Sequence, residues 1–182
     1  MKKSLLSAAE YNKHVTGDST TPSLYVGTYG KYNNGSIAGA WVDLSTFSDG
    51  EEFFKFCKAL HGDEIYPELM FQDYQNFPSS LYRESMGIAD IDKIIDLFSD
   101  YSADEIEIIG EYWEENDAHA EPQDILDSLV YTGDFDDYAN EMADELIGDN
   151  DSILARYLNY SAFARDLKFD YTVTSHYVFT AC

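Results

Sequence analysis

Polar and apolar residues alternate near the start of the chain and recur every three to four positions through its middle, so the pattern predicts strands first and helices later. Residues 24–29 and 36–43 read as strands on either side of Lys31-Tyr32-Asn33-Asn34-Gly35. The Asn-Asn-Gly supplies the positive φ angles of a tight reversal, so a hairpin is expected. Ser48 and Glu51 have capping-box spacing for a helix reaching about Leu60, and 69–74 reads as a third strand. From Ile88 the period lengthens to about 3.6. Ile91, Ile94, Ile95 and Phe98 form an apolar stripe, with Asp92, Asp96 and Asp100 spaced by four on another face. Ser102 and Glu105 box the next helix, and Glu121-Pro122 opens another, because proline suits a first helical position. Residues 130–132 read as extended, 136–147 and 152–167 as helical, and 171–174 and 177–180 as short strands.

This order predicts an α+β fold, and the length suits one compact domain or two to three small subdomains. Residues 1–22 read as an extension, with a short helix at 5–11 and a polar linker at 16–22. An N-terminal antiparallel sheet with a helix (23–83), a central acidic helical bundle (84–128) and a C-terminal part of mixed helices and short strands (129–182) follow. Cys57 and Cys182 are far apart and lack CxxC spacing, which suits a reducing compartment. The apolar run after Met1-Lys2-Lys3 is too short for a secretory signal, and no stretch approaches the roughly eighteen apolar residues that span a bilayer. The cytoplasm is the expected location.

Charge sharpens the picture. Residues 84–151 hold 23 acids and one base, Lys93, for a net −22 out of −24 in the whole chain. Disorder is argued against by a hydrophobic fraction of 45% and an aromatic fraction of 15%. Halophilic adaptation would spread the acid evenly instead of leaving near-neutral flanks. Such a charge repels nucleic acid and membranes and attracts proteins that grip nucleic acid.

Helical geometry arrays the acids. At about 100° per residue, Asp104, Glu107, Glu111 and Glu115 fall within an arc of about 80°, opposite Ile106, Ile109 and Trp113. Ile108 is an apolar exception within the acidic arc. Further on, Asp137, Glu141 and Asp144 share a face, with Glu145 beside it and Met142 and Leu146 opposite. A face built for stability would place Lys or Arg four residues from each acid. Here Asp92/Asp96, Asp96/Asp100, Glu107/Glu111, Glu111/Glu115 and Asp137/Glu141 are like-charged pairs, each costing about 0.2–0.5 kcal/mol. Twenty-two charges match the phosphates of roughly 11 base pairs, or roughly 37 Å of duplex. All four residues of the 104–115 arc are expected to be exposed.

Other chemistries fit less well. Asp134, Asp136 and Glu145 stand at positions 1, 3 and 12 of an EF-hand pattern, but Tyr138 and Ala139 occupy the places of an oxygen ligand and the turn glycine. GxGxxG, phosphate-loop and HExxH arrangements are absent, so no catalytic residue, metal or cofactor is assigned and no enzyme is expected. Cys57, among Phe53, Phe54 and Phe56, reads as a small buried hydrophobe, Trp41 and Trp113 as core or interface anchors. The near-neutral C-terminal strands, with Tyr171, Tyr177 and Phe179, read as a self-association surface. Physics alone also admits an acidic binding module or chaperone for another basic nucleic-acid-binding protein.

Three ordered blocks resemble the ArdA antirestriction proteins of plasmids and conjugative transposons. They are 24–41, with Gly30-Lys31-Tyr32-Asn33-Asn34-Gly35 and Gly39-Ala40-Trp41, then 134–139, and 159–167, with Tyr160, Ala162 and Arg165-Asp166-Leu167. The resemblance implies a three-part α+β protein, its three small subdomains strung in an elongated chain, that forms an elongated, curved homodimer through its C-terminal part. It also implies mimicry of bent B-form DNA and inhibition of type I restriction-modification enzymes at the DNA-binding groove of the methyltransferase core. An antirestriction motif matching 129–146 brings in Asp134, Asp136, Asp137, Glu141, Asp144 and Glu145. Together with Asp92, Asp96, Asp100, Asp104, Glu107, Glu111 and Glu115 they form the expected partner-binding face. The chain departs from the family's pattern in its extension and in Phe135 between the motif's acids.

Overall fold

A computed structural model describes residues 6–17, 20–116, 120–148 and 156–181. Among these residues lie eight helices and two three-stranded antiparallel sheets, an α+β arrangement as expected. The chain forms two compact units, Met1–Ile106 and Glu107–Cys182.

In the first unit, β1 (Ser23–Thr28) lies between β2 (Ala40–Asp43) and β3 (Leu69–Gln75). Leu24 sits opposite Val42 and Tyr74, and a register shift after Tyr25 sets Val26 opposite Phe71. The helices α3 (Gly50–Leu60) and α4 (Ile88–Asp100) pack on one another and contribute Phe53, Cys57, Ile91 and Ile94 to the core beside Leu24, Val26 and Phe71. Burying each such side chain contributes about 1.5–3 kcal/mol. That outweighs the like-charge repulsion on the helix surfaces and explains how acidic faces persist.

Several expectations for this unit are corrected. The strands pair as a hairpin would, but their connection is not a tight reversal. It holds a short helix, α2 (Tyr29–Asn33), and β2 starts only at Ala40. Of the Asn-Asn-Gly, Gly35 alone takes a positive φ, 78°, while Asn34 sits at −92°. The cause is long-range: Lys31 Nζ meets His61 Nδ1 at 2.8 Å and Asp63 at 3.0 Å, drawing the segment toward the end of α3. The cap of α3 lies one residue later than expected. Asp49 accepts the Glu52 N–H, while Glu52 accepts from the N–H and hydroxyl of Ser48. The short helix of the N-terminal extension lies later than the expected 5–11. This helix, α1 (Ala8–His14), is capped by Ser7, His14 stacks on Phe47 with ring centroids 4.2 Å apart, and Val15 bridges to Val42.

The boundary between the units falls inside α5 (Ala103–Glu115), which the Ser102/Glu105 box opens as expected. The second unit continues with α6 (Pro122–Ser128), β4 (Leu129–Thr132), α7 (Phe135–Ile147), α8 (Tyr160–Leu167), β5 (Tyr171–Val173) and β6 (Tyr177–Thr180). Its sheet order is β4-β6-β5. Ala139 and Ala164, small enough for α7 and α8 to approach closely, join Phe135 and Val178 in one core cluster. The helix expected over 152–167 begins at Tyr160, where Asn159 caps it by accepting the Ala162 N–H; residues 152–155 lie outside the described residues. Tyr177 and Phe179 are buried and Tyr171 is half-buried, so these rings build their own core instead of an outer surface.

Candidate partner-binding face

Three helices, α4, α5 and α7, carry twelve of the thirteen expected acids, with Asp134 at the N-cap of α7, and the structure sorts them. On α4, Asp96 and Asp100 are exposed. Asp92 is corrected to a structural residue: it is half-buried, and its Oδ1 accepts the Gly50 N–H at 2.6 Å. That amide belongs to the first turn of α3 and has no partner inside its own helix. A Cβ at residue 50 would lie 2.7 Å from the Ile88 carbonyl oxygen, so glycine permits the approach that delivers Asp92.

On α5 the apolar arc is as expected, with Ile106, Ile109 and Trp113 buried and Ile108 half-buried. The acidic arc divides. Asp104 and Glu107 are exposed, whereas the Glu111 side chain is only 16% exposed. Its carboxylate accepts the His176 N–H at 2.7 Å and faces Nδ1 of the same histidine at 2.8 Å. Glu115 Oε1 accepts from the Ser175 hydroxyl at 2.7 Å and the Ser175 N–H at 3.3 Å. The expected exposure of all four acids is therefore corrected for Glu111. The turn between β5 and β6 points its donors at α5, and carboxylates are the strongest acceptors there. Burial works to raise the Glu111 carboxyl, but hydrogen bonds from this turn outweigh it and hold it below the usual carboxylate range. The hydrogen bond to Glu111 pushes His176 up.

On α7, Asp134 is exposed and caps the helix through the Asp136 N–H at 2.7 Å; Asp136, Asp137 and Glu145 are exposed. Glu141 and Asp144 are exposed too, but each accepts from a tyrosine, Tyr131 at 3.0 Å and Tyr160 at 2.6 Å. Sequence reasoning missed these donors and the turn at Ser175 and His176. The tyrosines stand 10 and 16 residues from their acids and the turn 60 or more, beyond any helical spacing. The 15 tyrosines of the chain were the available hint.

Seven of the thirteen acids, Asp96, Asp100, Asp104, Glu107, Asp136, Asp137 and Glu145, are thus exposed with neither an ion pair nor a hydrogen bond to their carboxylates among the described residues. No trio of metal-ligating side chains occurs among the described residues, and burial raises the Cys57 thiol well above its ordinary range. No described helix is long and apolar enough to cross a membrane. Each of the three helices carries fixed negative charge on its exposed side.

No individual curated protein matches the chain. The family model for antirestriction protein (ArdA) matches residues 24–179, a span that includes α4, α5 and α7. Matched over most of its length, the chain belongs to the ArdA family of antirestriction proteins.

Proposed function

We propose that the protein inhibits type I restriction-modification enzymes by setting its carboxylates where DNA phosphates would lie, in the DNA-binding groove of the methyltransferase core. The observation that supports this reading is that α4, α5 and α7 each carry exposed acids, seven in all, whose carboxylates have neither an ion pair nor a hydrogen bond among the described residues. Carboxylates about 5–6 Å apart on successive helical turns give a lysine- and arginine-lined groove an array to pair with. Stiff helices lose less entropy on docking than a flexible acidic tail would. The action requires no catalysis and is set in the cytoplasm, where restriction enzymes meet incoming DNA.

Adding the protein to a type I methyltransferase bound to a fluorescent duplex is expected to release the duplex, and less effectively as salt rises. Retention of the duplex at saturating protein would end this reading. We infer a homodimer as the working form. Leu146 and Tyr157, 70% and 82% exposed, flank an apolar hollow of about 310 Å³ formed with Ala143, Ile147, Leu158 and Phe163. Tyr157, Leu158 and Phe163 come from residues 152–182, whose net charge is only +1, so on that side of the hollow pairing avoids stacking acid on acid, while Ala143, Leu146 and Ile147 come from acidic α7.

A further inference from the structure

We propose that Tyr131 and Tyr160 are positioning residues for the α7 carboxylates, fixing Glu141 and Asp144 in place without cancelling their charge. The inference rests on α7 being part of the proposed partner-binding face. Each tyrosine reaches its acid from a different element. Tyr131 on β4 donates to Glu141 Oε1 at 3.0 Å, and Tyr160 at the start of α8 donates to Asp144 Oδ1 at 2.6 Å. Glu141 and Asp144 are three residues apart, so the two bonds hold neighbouring positions on one helix face.

The anchors are themselves held. The Tyr131 ring packs against the cluster of Phe135, Ala139, Ala164 and Val178 and lies 5.2 Å from the Tyr138 ring. Tyr160 opens a helix that Asn159 caps. The serine contacts at helix starts, Ser7 with Glu10, Ser48 with Glu52 and Ser102 with Glu105, differ in kind: they join residues three or four apart and close caps.

The choice of donor follows from electrostatics. Lysine or arginine would also hold a carboxylate, but would neutralise the charge that a basic groove recognises. A phenol holds it and stays neutral. The carboxylate acceptors in turn push both tyrosines further above their ordinary 10.0, so they remain protonated at neutral pH. Both bonds lie at the exposed surface, where a hydrogen bond adds little net stability because water competes for the same groups. Their effect therefore falls on docking, where a carboxylate already fixed loses less rotamer freedom.

The test uses the full-length chain and duplex release from a type I methyltransferase. Y131F and Y160F keep the rings and remove the hydroxyls. Each is expected to weaken duplex release roughly two- to tenfold, with an unchanged salt slope because the charge count is unchanged, and with an unchanged melting midpoint. In E141Q and D144N backgrounds, Y131F and Y160F respectively should add no further loss. Additive losses would overturn the inference, since the hydroxyls would then act through something other than these acids. If E141Q and D144N weaken release while the tyrosine variants do not, positioning fails and the partner-binding face stands. If E141Q and D144N change nothing, these two acids leave the face and the positioning role goes with them, while the proposed function still stands on the other acids.

Discussion

His176 and Glu111 hold each other through charge, so their contribution depends on pH at both ends. The folded pKa of His176 is raised above its ordinary 6.5, so its stabilisation is complete below that value and is lost as pH rises through the folded value. Glu111 is held below its ordinary 4.5, so its stabilisation is complete above that value and is lost as pH falls through the folded one. The pair is fully effective between the two ordinary values. His14 and His61 in the first unit have the opposite sign. Burial lowers both, so their stabilisation is present above 6.5 and is lost as pH falls. Scanning fluorimetry of H176N against the unmodified chain should show a gap in melting temperature that is widest at mildly acidic pH and narrows as pH rises; a gap independent of pH would refute the pairing. E111Q should cost about 1 kcal/mol in urea unfolding, because a neutral amide replaces the charged acceptor of the His176 N–H and ring. The sequence displayed all four histidines, but not which rings would be buried, since burial is settled by residues such as Phe47 and Val26, far along the chain.

Within elements, local rules carried the reading furthest. The start of α5, the proline opening α6 and, on α4, Ile91 and Ile94 were legible because each depends on residues within four positions of one another. Leu97 completes the buried side of α4, where Ile95 and Phe98 are only half-buried. Periodicity also assigned the buried side of α5 correctly. It could not separate the acids on the other side, because a helical wheel places Asp104, Glu107, Glu111 and Glu115 alike and contains no β5–β6 turn. The division has a direct consequence. D104K/E107K should leave the melting temperature nearly unchanged and weaken duplex release, whereas E111K/E115K should lower the melting temperature by replacing acceptors with cations beside His176. Equal melting for the two variants would mean the turn does not depend on α5. The short helix α2 was illegible for a related reason: the contacts of Lys31 with His61 and Asp63 span about thirty residues.

The whole chain is dominated by its charge, and charge was legible from composition. A net −22 over 84–151 accounts for the steep salt dependence expected of duplex release. Self-association was harder to read, because an aromatic strand looks alike whether its rings face a partner or a core. Tyr177 and Phe179 face their own core, which moves the proposed contact to Leu146 and Tyr157. Sedimentation is expected to show a dimer that L146E dissociates, and a monomer at every concentration of the unmodified chain would refute this contact. What the sequence determined by itself was the α+β class, most helix positions, the acidic faces and the likeness to the ArdA family, because these rest on short-range spacing and on sums over residues. Which carboxylates stand free, which are held by a tyrosine and which are clasped by a turn was decided only by tertiary structure. A carboxylate's partner is chosen by proximity in space, and neither Tyr160 with Asp144 nor His176 with Glu111 is a neighbour along the chain.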